Sequence, residues 1–151
     1  MRVRDVLNLK GAALFAIEPE RRLADAVQLM VAHDVGSLVV MKGGAMTGLV
    51  TFREVLAALD ARGGRLDDAR VAEVMIADPA CGDPNDTVDH MRATMTEQHI
   101  RYLPIVEDGR LLGILSFHDV ARAALKQASF ENQLLKHYIK NWPEPDAAGP
   151  K

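Results

Sequence analysis

Ser116 and Asp119 stand three residues apart inside Gly113-Ile114-Leu115-Ser116-Phe117-His118-Asp119-Val120, where an apolar run gives way to a helical pattern. A hydroxyl at such a strand-to-helix turn lies among free backbone N–H groups, and the start of a helix favours an anion such as phosphate. The carboxylate of Asp119, on the first turn, adds acceptor oxygens beside it. A blurred copy precedes it: Gly48-Leu49-Val50-Thr51-Phe52-Arg53-Glu54-Val55, at an offset of 113 − 48 = 65, sets Thr51 on Ser116 and Glu54 on Asp119. Both stretches also read as capping boxes, in which the acid bonds back to the N-cap N–H.

The same offset runs upstream without a gap, setting Pro19 on Pro84, Ala26 on Met91, Met30 on Met95, Leu38 on Leu103 and Gly44 on Gly109. A duplicated unit of this size does not bury its own apolar face, so the two copies are expected to share a core and to place function where they meet. Within the first copy, Ala12 to Ile17 reads as a strand, and Leu23, Ala26, Val27 and Met30 give helical spacing over 21–33. Ser37–Met41 and Met46–Thr51 flank Lys42-Gly43-Gly44 as a β-hairpin, and a second helix runs to Ala61 before Gly63-Gly64. The second copy repeats this order, with Asp108-Gly109 as its hairpin turn.

The expected fold class is therefore α+β, with two β-α-β-β-α repeats about a pseudo-twofold axis, each forming a three-stranded sheet, plus a C-terminal helix. Repeat 1 spans 3–61, a polar linker 62–70, repeat 2 71–126, the C-terminal helix 127–142 and a disordered tail 143–151. Phe130, Leu134, Leu135, Tyr138 and Ile139 make an apolar stripe on the last helix, and Pro143 ends it. Such a stripe needs a partner surface.

Bulk composition narrows the function classes. Of 151 residues 48% are apolar and 26% charged, which supports a packed core. The net charge of −3 and the scattered Arg and Lys lack the footprint of a phosphate-backbone binder, so no nucleic-acid partner is expected. No apolar run approaches membrane-spanning length and the N-terminal residues carry no secretory pattern. Together with the lone Cys81, this makes the cytoplasm the expected location. The five histidines show no ligand spacing, and no metal is expected. Gly43 to Gly48 has the glycine spacing of a phosphate loop, but Leu49-Val50 stand where Lys and Ser/Thr are required. No nucleophile-base constellation is visible, so the chain is not expected to be an enzyme.

Two β-α-β-β-α units, each with G-h-h-[ST]-x-x-[DE] joining its last strand to its last helix, resemble the tandem cystathionine-β-synthase (CBS) domain pair. Ile100-Arg101-Tyr102-Leu103-Pro104-Ile105-Val106 is similar to that family's h-R-H-L-P-V strand. Lys10-Gly11, Val35 to Val40 and the Leu134 to Ile139 helix are similar to small stand-alone bacterial CBS-pair proteins. The resemblance implies a regulatory module that holds an adenine nucleotide between its repeats and transmits occupancy to a regulated partner. AMP is the foremost ligand, with ADP, ATP, NAD and S-adenosylmethionine as alternatives, and the protein is expected to be a homodimer. Carried over by position, the main site comprises Ser116, His118 and Asp119 facing Gly36 and Ser37, with Asp119 on the ribose hydroxyls. A second site sets Thr51, Arg53 and Glu54 against Arg101 and Tyr102. There Glu54 replaces the family's Asp and Tyr102 its His, so repeat 2 is taken as the copy that binds and Glu54 as a cap. A structural module with degenerate pockets is the competing reading, for which the C-terminal helix would serve assembly.

Overall fold

The computed structural model describes residues 1–11 and 13–140. A helix α1 (Val3–Lys10) leads into a two-residue strand β1 (Ala16–Ile17), a helix α2 (Leu23–His33) and the hairpin β2 (Ser37–Lys42) and β3 (Ala45–Thr51), followed by α3 (Phe52–Ala61). The second half repeats the order as α4 (Val71–Val74), β4 (Ile76–Ala77), α5 (Val88–Glu97), β5 (Tyr102–Glu107), β6 (Arg110–Ser116) and α6 (Phe117–Lys140). Of the expected strand 12–17 only Ala16–Ile17 pairs, while Ala12 lies outside the described residues. The segment Val71 to Ile76 divides into the one-turn helix α4 and the start of β4.

Local geometry repeats at the offset read from the sequence. Gly43 and Gly44 have φ of 58° and 78°, and Asp108 and Gly109 have 51° and 76°. Positive φ at both central residues is the two-residue turn whose twist suits a hairpin. Each hairpin carries an irregularity at the same place, between Val40 and Met41 and between Ile105 and Val106. Asp34 and His99 both enter the left-handed region as α2 and α5 end. The strand-to-helix turns are pinned alike, Phe52 N–H donating to Gly36 O and Phe117 N–H to Arg101 O.

The sheets depart from the expected pair of three-stranded layers. β1, β2, β3 and β4 form one four-stranded sheet, with β4 antiparallel to β3. In the second half β5 and β6 pair, and the counterpart of β1 is a single parallel bridge, Gly82 to Ile105. That bridge sits at 17 + 65 and 40 + 65, the repeat image of Ile17 to Val40. The strand shrinks because Gly82 contributes no side chain to hold it. Met91, Leu103 and Ile105 pack where a Cβ on Gly82 would lie, so their bulk replaces the side chain that Ile17 supplies in the first half.

The halves interlock. One buried cluster gathers Ile17, Leu23, Met30, Leu38, Val50 and, from the second half, Val71. The other gathers Val88, Met95, Leu103, Ile105 and Leu115 with Val3 and Val6 of α1. Backbone bonds fix both exchanges, Val3 N–H to Asp86 O at 2.9 Å and Leu23 N–H to Ala69 O at 2.7 Å. Each core is thus closed by the leading helix of the other copy.

At the C-terminal end the expected boundary between 126 and 127 is not a break. The sequence from Phe117 to Lys140 holds neither Gly nor Pro, so one 24-residue helix runs through it. Val120 and Ala123 are buried in its first turns, whereas every described residue from 128 onward is exposed. Residues 141 and 142 of the expected helix, and the tail 143–151, lie outside the described residues. No described helix is long and apolar enough to cross a membrane.

Candidate functional site

Thr51 ends β3 in extended geometry and caps α3. Its buried hydroxyl accepts from Arg53 N–H at 3.2 Å and donates to Glu54 Oε1 at 2.6 Å, while its backbone N–H donates to the same oxygen at 2.8 Å. This is the capping box in full. Beside it opens a cleft of about 710 Å³, within the size range of ligand pockets. Thr51, Arg53 and Glu54 of the first half line it together with Arg101 and Tyr102 of the second, so all five residues of the second predicted site share one cavity.

Aromatic contacts tie the two walls. The Phe52 and Tyr102 rings meet edge to face with centroids 6.1 Å apart, and the Arg101 guanidinium lies 5.3 Å from the centre of the Phe52 ring. Arg101 is therefore held at the cleft by a ring from the opposite repeat. Burial pushes the Tyr102 phenol up, an effect opposed by Arg101 and reinforced by the negative charge of Asp119. Gly36 is required here, because a Cβ on it would overlap the Tyr102 hydroxyl.

The first predicted site has a different geometry. Asp119 Oδ2 accepts from Ser116 N–H at 3.1 Å, and Asp119 N–H donates to Ser116 Oγ at 3.0 Å, a second capping box. The reading that assigned Glu54 to the cap and Asp119 to the ribose therefore gains no support from capping, since both acids cap. Lys10, at the end of α1, donates to Asp119 Oδ2 at 2.8 Å and to Ile114 O at 3.0 Å. Burial raises the Asp119 carboxyl, but the hydrogen bonds from Lys10 and Ser116 and the Lys10 charge outweigh it and hold the group below its ordinary range. His118 turns along the helix to Arg122, 2.8 Å away. Gly36 packs against Tyr102 as above, and Ser37 pairs in register with Thr51 of its own hairpin.

Sequence reasoning missed part of the lining. His99 and Phe117 line the open cleft, His99 because α5 ends there in left-handed geometry and Phe117 because it opens α6. Their positions followed from the repeat, but nothing in residue type marked them. Lys10 was visible only as part of Lys10-Gly11, with no signal of its bond to a residue 109 positions away. Among the described residues no cluster of His, Cys, Asp and Glu is arranged to hold a metal ion.

The interlocked repeats with a cleft at their meeting point are the architecture of a CBS-domain pair. The chain belongs to the CBS domain family, whose model matches residues 3–61 and 71–126. It is 31% identical over 119 residues to the CBS domain-containing protein YhcV of Bacillus subtilis, covering 79% of this chain and 82% of that one. Among solved structures, the CBS-domain containing protein ATU1752 of Agrobacterium tumefaciens superposes with a TM-score of 0.78 at 30% identity, covering 82% of this chain and 99% of that one. The CBS domain pair of protein MJ0100, solved in complex with 5′-methylthioadenosine and S-adenosyl-L-methionine, shares the fold at a TM-score of 0.72 and 21% identity, covering 84% of this chain and 98% of that one.

Proposed function

We propose that this chain is a cytoplasmic regulatory module that binds an adenine nucleotide, AMP foremost, in the cleft between its repeats and transmits occupancy to a regulated partner protein. The observation that carries the reading is the 710 Å³ cleft walled by both repeats, with Arg53 and Arg101 lining it. Two guanidinium groups suit a phosphate. Thr51 and Glu54 offer oxygens to a ribose, and Phe117 and Tyr102 offer ring surface to a base. A ligand touching both walls binds some relative arrangements of the repeats better than others, and that difference is what a partner reads. The adenosyl compounds bound by MJ0100 support the ligand class.

Titration calorimetry with AMP tests the reading directly. One equivalent per chain is expected, weakened at least tenfold by Arg101→Ala. Absence of heat and of any thermal shift with AMP, ADP, ATP, NAD and S-adenosylmethionine would leave the structural module with degenerate pockets, a reading that the fully engaged capping boxes favour.

The module is also proposed to be a homodimer. The buried face of α6, Val120 and Ala123, continues at alternating steps of three and four through Gln127, Phe130 and Leu134, past the end of the repeats. A seam of this period is what a partner helix packs against.

A further inference from the structure

The strand-to-helix turns at Thr51 and Ser116 are images of each other at the offset of 65, yet their surroundings are furnished differently. In the first half the image of Lys10 is Met75, which packs on the first core with its sulfur against Gly48, and among the described residues Glu54 carries only its capping bonds. At the Ser116 turn, the equivalent of Met75 is Lys10 (75 − 65 = 10), and its ammonium is seated on Asp119 and on the Ile114 carbonyl. The carboxylate expected to meet a ribose is therefore already satisfied by a cation of the same chain. The two side chains retain 38% and 20% of their exposure, and a neutral ligand hydroxyl reaching the same oxygen must displace a charge-assisted hydrogen bond.

Other residues at the images of the open cleft's lining suit a nucleoside. Ala80 and Gln98 line the open cleft, and their images Phe15 and His33 form a ring stack with centroids 4.2 Å apart and planes 22° apart. A flat ring pair is a surface for a base. Ser116 remains at the start of α6, as Thr51 is at the start of α3.

We infer that Lys10 is the residue that decides which half binds: it occupies the Asp119 carboxylate as an internal stand-in for ligand hydroxyls, so the Thr51 cleft fills and the Ser116 turn stays shut. This rests on the proposed nucleotide-binding function. Because Lys10 ends α1, whose Val3 and Val6 sit in the second core, releasing Lys10 also loosens the tether of that helix at its C-terminal end.

Calorimetric stoichiometry with AMP separates the outcomes. The wild-type chain is expected to take one equivalent, and Lys10→Met, which installs the residue found at the image position, two. Lys10→Met with Asp119→Asn should return to one, since the new site needs the carboxylate; circular dichroism verifies that both variants fold. Two equivalents in the wild type, or one in Lys10→Met, overturns the inference while leaving the Thr51 cleft intact. No binding to the wild type with one equivalent in Lys10→Met upholds the Lys10 block and removes the ligand from the Thr51 cleft. No binding to either chain overturns both.

Discussion

Glu54 receives two hydrogen bonds from Thr51, one from its N–H and one from its hydroxyl, so a ribose at the cleft must share a carboxylate that is already capping α3. Glu54→Gln separates the two duties, because Gln also serves in a capping box but accepts as a neutral group. A charge-assisted hydrogen bond exceeds a neutral one by about 1–1.5 kcal/mol, so AMP affinity should fall roughly tenfold while the melting temperature barely moves. A large fall in melting temperature with unchanged affinity would assign Glu54 to the cap alone. Asp119 makes a complementary prediction from its depressed carboxyl. A group whose folded pKa lies below its unfolded one contributes stability above the unfolded value and loses it as pH falls through the folded one. Acidification from the ordinary carboxylate range downward should therefore cost the wild type stability that Lys10→Met never had. Denaturation curves of the two chains should converge toward acid, and a gap that does not change with pH would remove the Lys10 contribution to that shift.

At the scale of elements, the turn between α2 and β2 is fixed around Gly36. Gly36 leaves room for the Tyr102 hydroxyl, and its carbonyl receives Phe52 N–H. Gly36→Ala should force Tyr102 off the wall of the cleft, at a cost of about 1–3 kcal/mol in denaturant unfolding. Gly113→Ala, whose nearest neighbour is the flexible Leu7 side chain at 3.3 Å, serves as the mild comparison. Equal costs would show that the tight fit at Gly36 does not matter. The hairpins, α2 and α5 were legible because period, turn chemistry and repetition agreed on them. β4 was not, since two residues carry no periodicity, and its place on β3 depends on chain from the other half. That Thr51, Arg53, Glu54, Arg101 and Tyr102 line one cavity was legible because they flank the strand-to-helix turn of one repeat and the hairpin entry of the other, which the pseudo-twofold axis brings together. What the sequence hid was occupancy: the Lys10 to Asp119 pair joins residues whose separation no local pattern encodes. The single long α6 was hidden for a different reason, because the end of a repeat match is not a helix stop.

The whole molecule depends on exchanged parts. Val3 and Val6 are buried in the second core and Val71 in the first, and full burial of a valine is worth roughly 1.5–3 kcal/mol. Losing the α1 pair thus removes about 3–6 kcal/mol from a fold whose total stability is of order 5–15 kcal/mol. Cleavage between Gly63 and Gly64 should leave neither fragment with a cooperative transition, and mixing them should restore one; a half that melts cooperatively alone would contradict the shared core. Assembly is the remaining question at this scale. Residues 128–140 project as a helix about 20 Å long with Phe130, Leu134, Leu135 and Ile139 between 54% and 62% exposed. A row of large apolar groups continuous with a buried seam suits a contact surface, and in the proposed homodimer a second copy about a twofold axis would bury both rows at once. Sedimentation equilibrium of the full chain should give a dimer, and of a chain ending at Gln127 a monomer. A monomer in both removes the homodimer, whereas a dimer in both moves the interface from α6 onto the repeats.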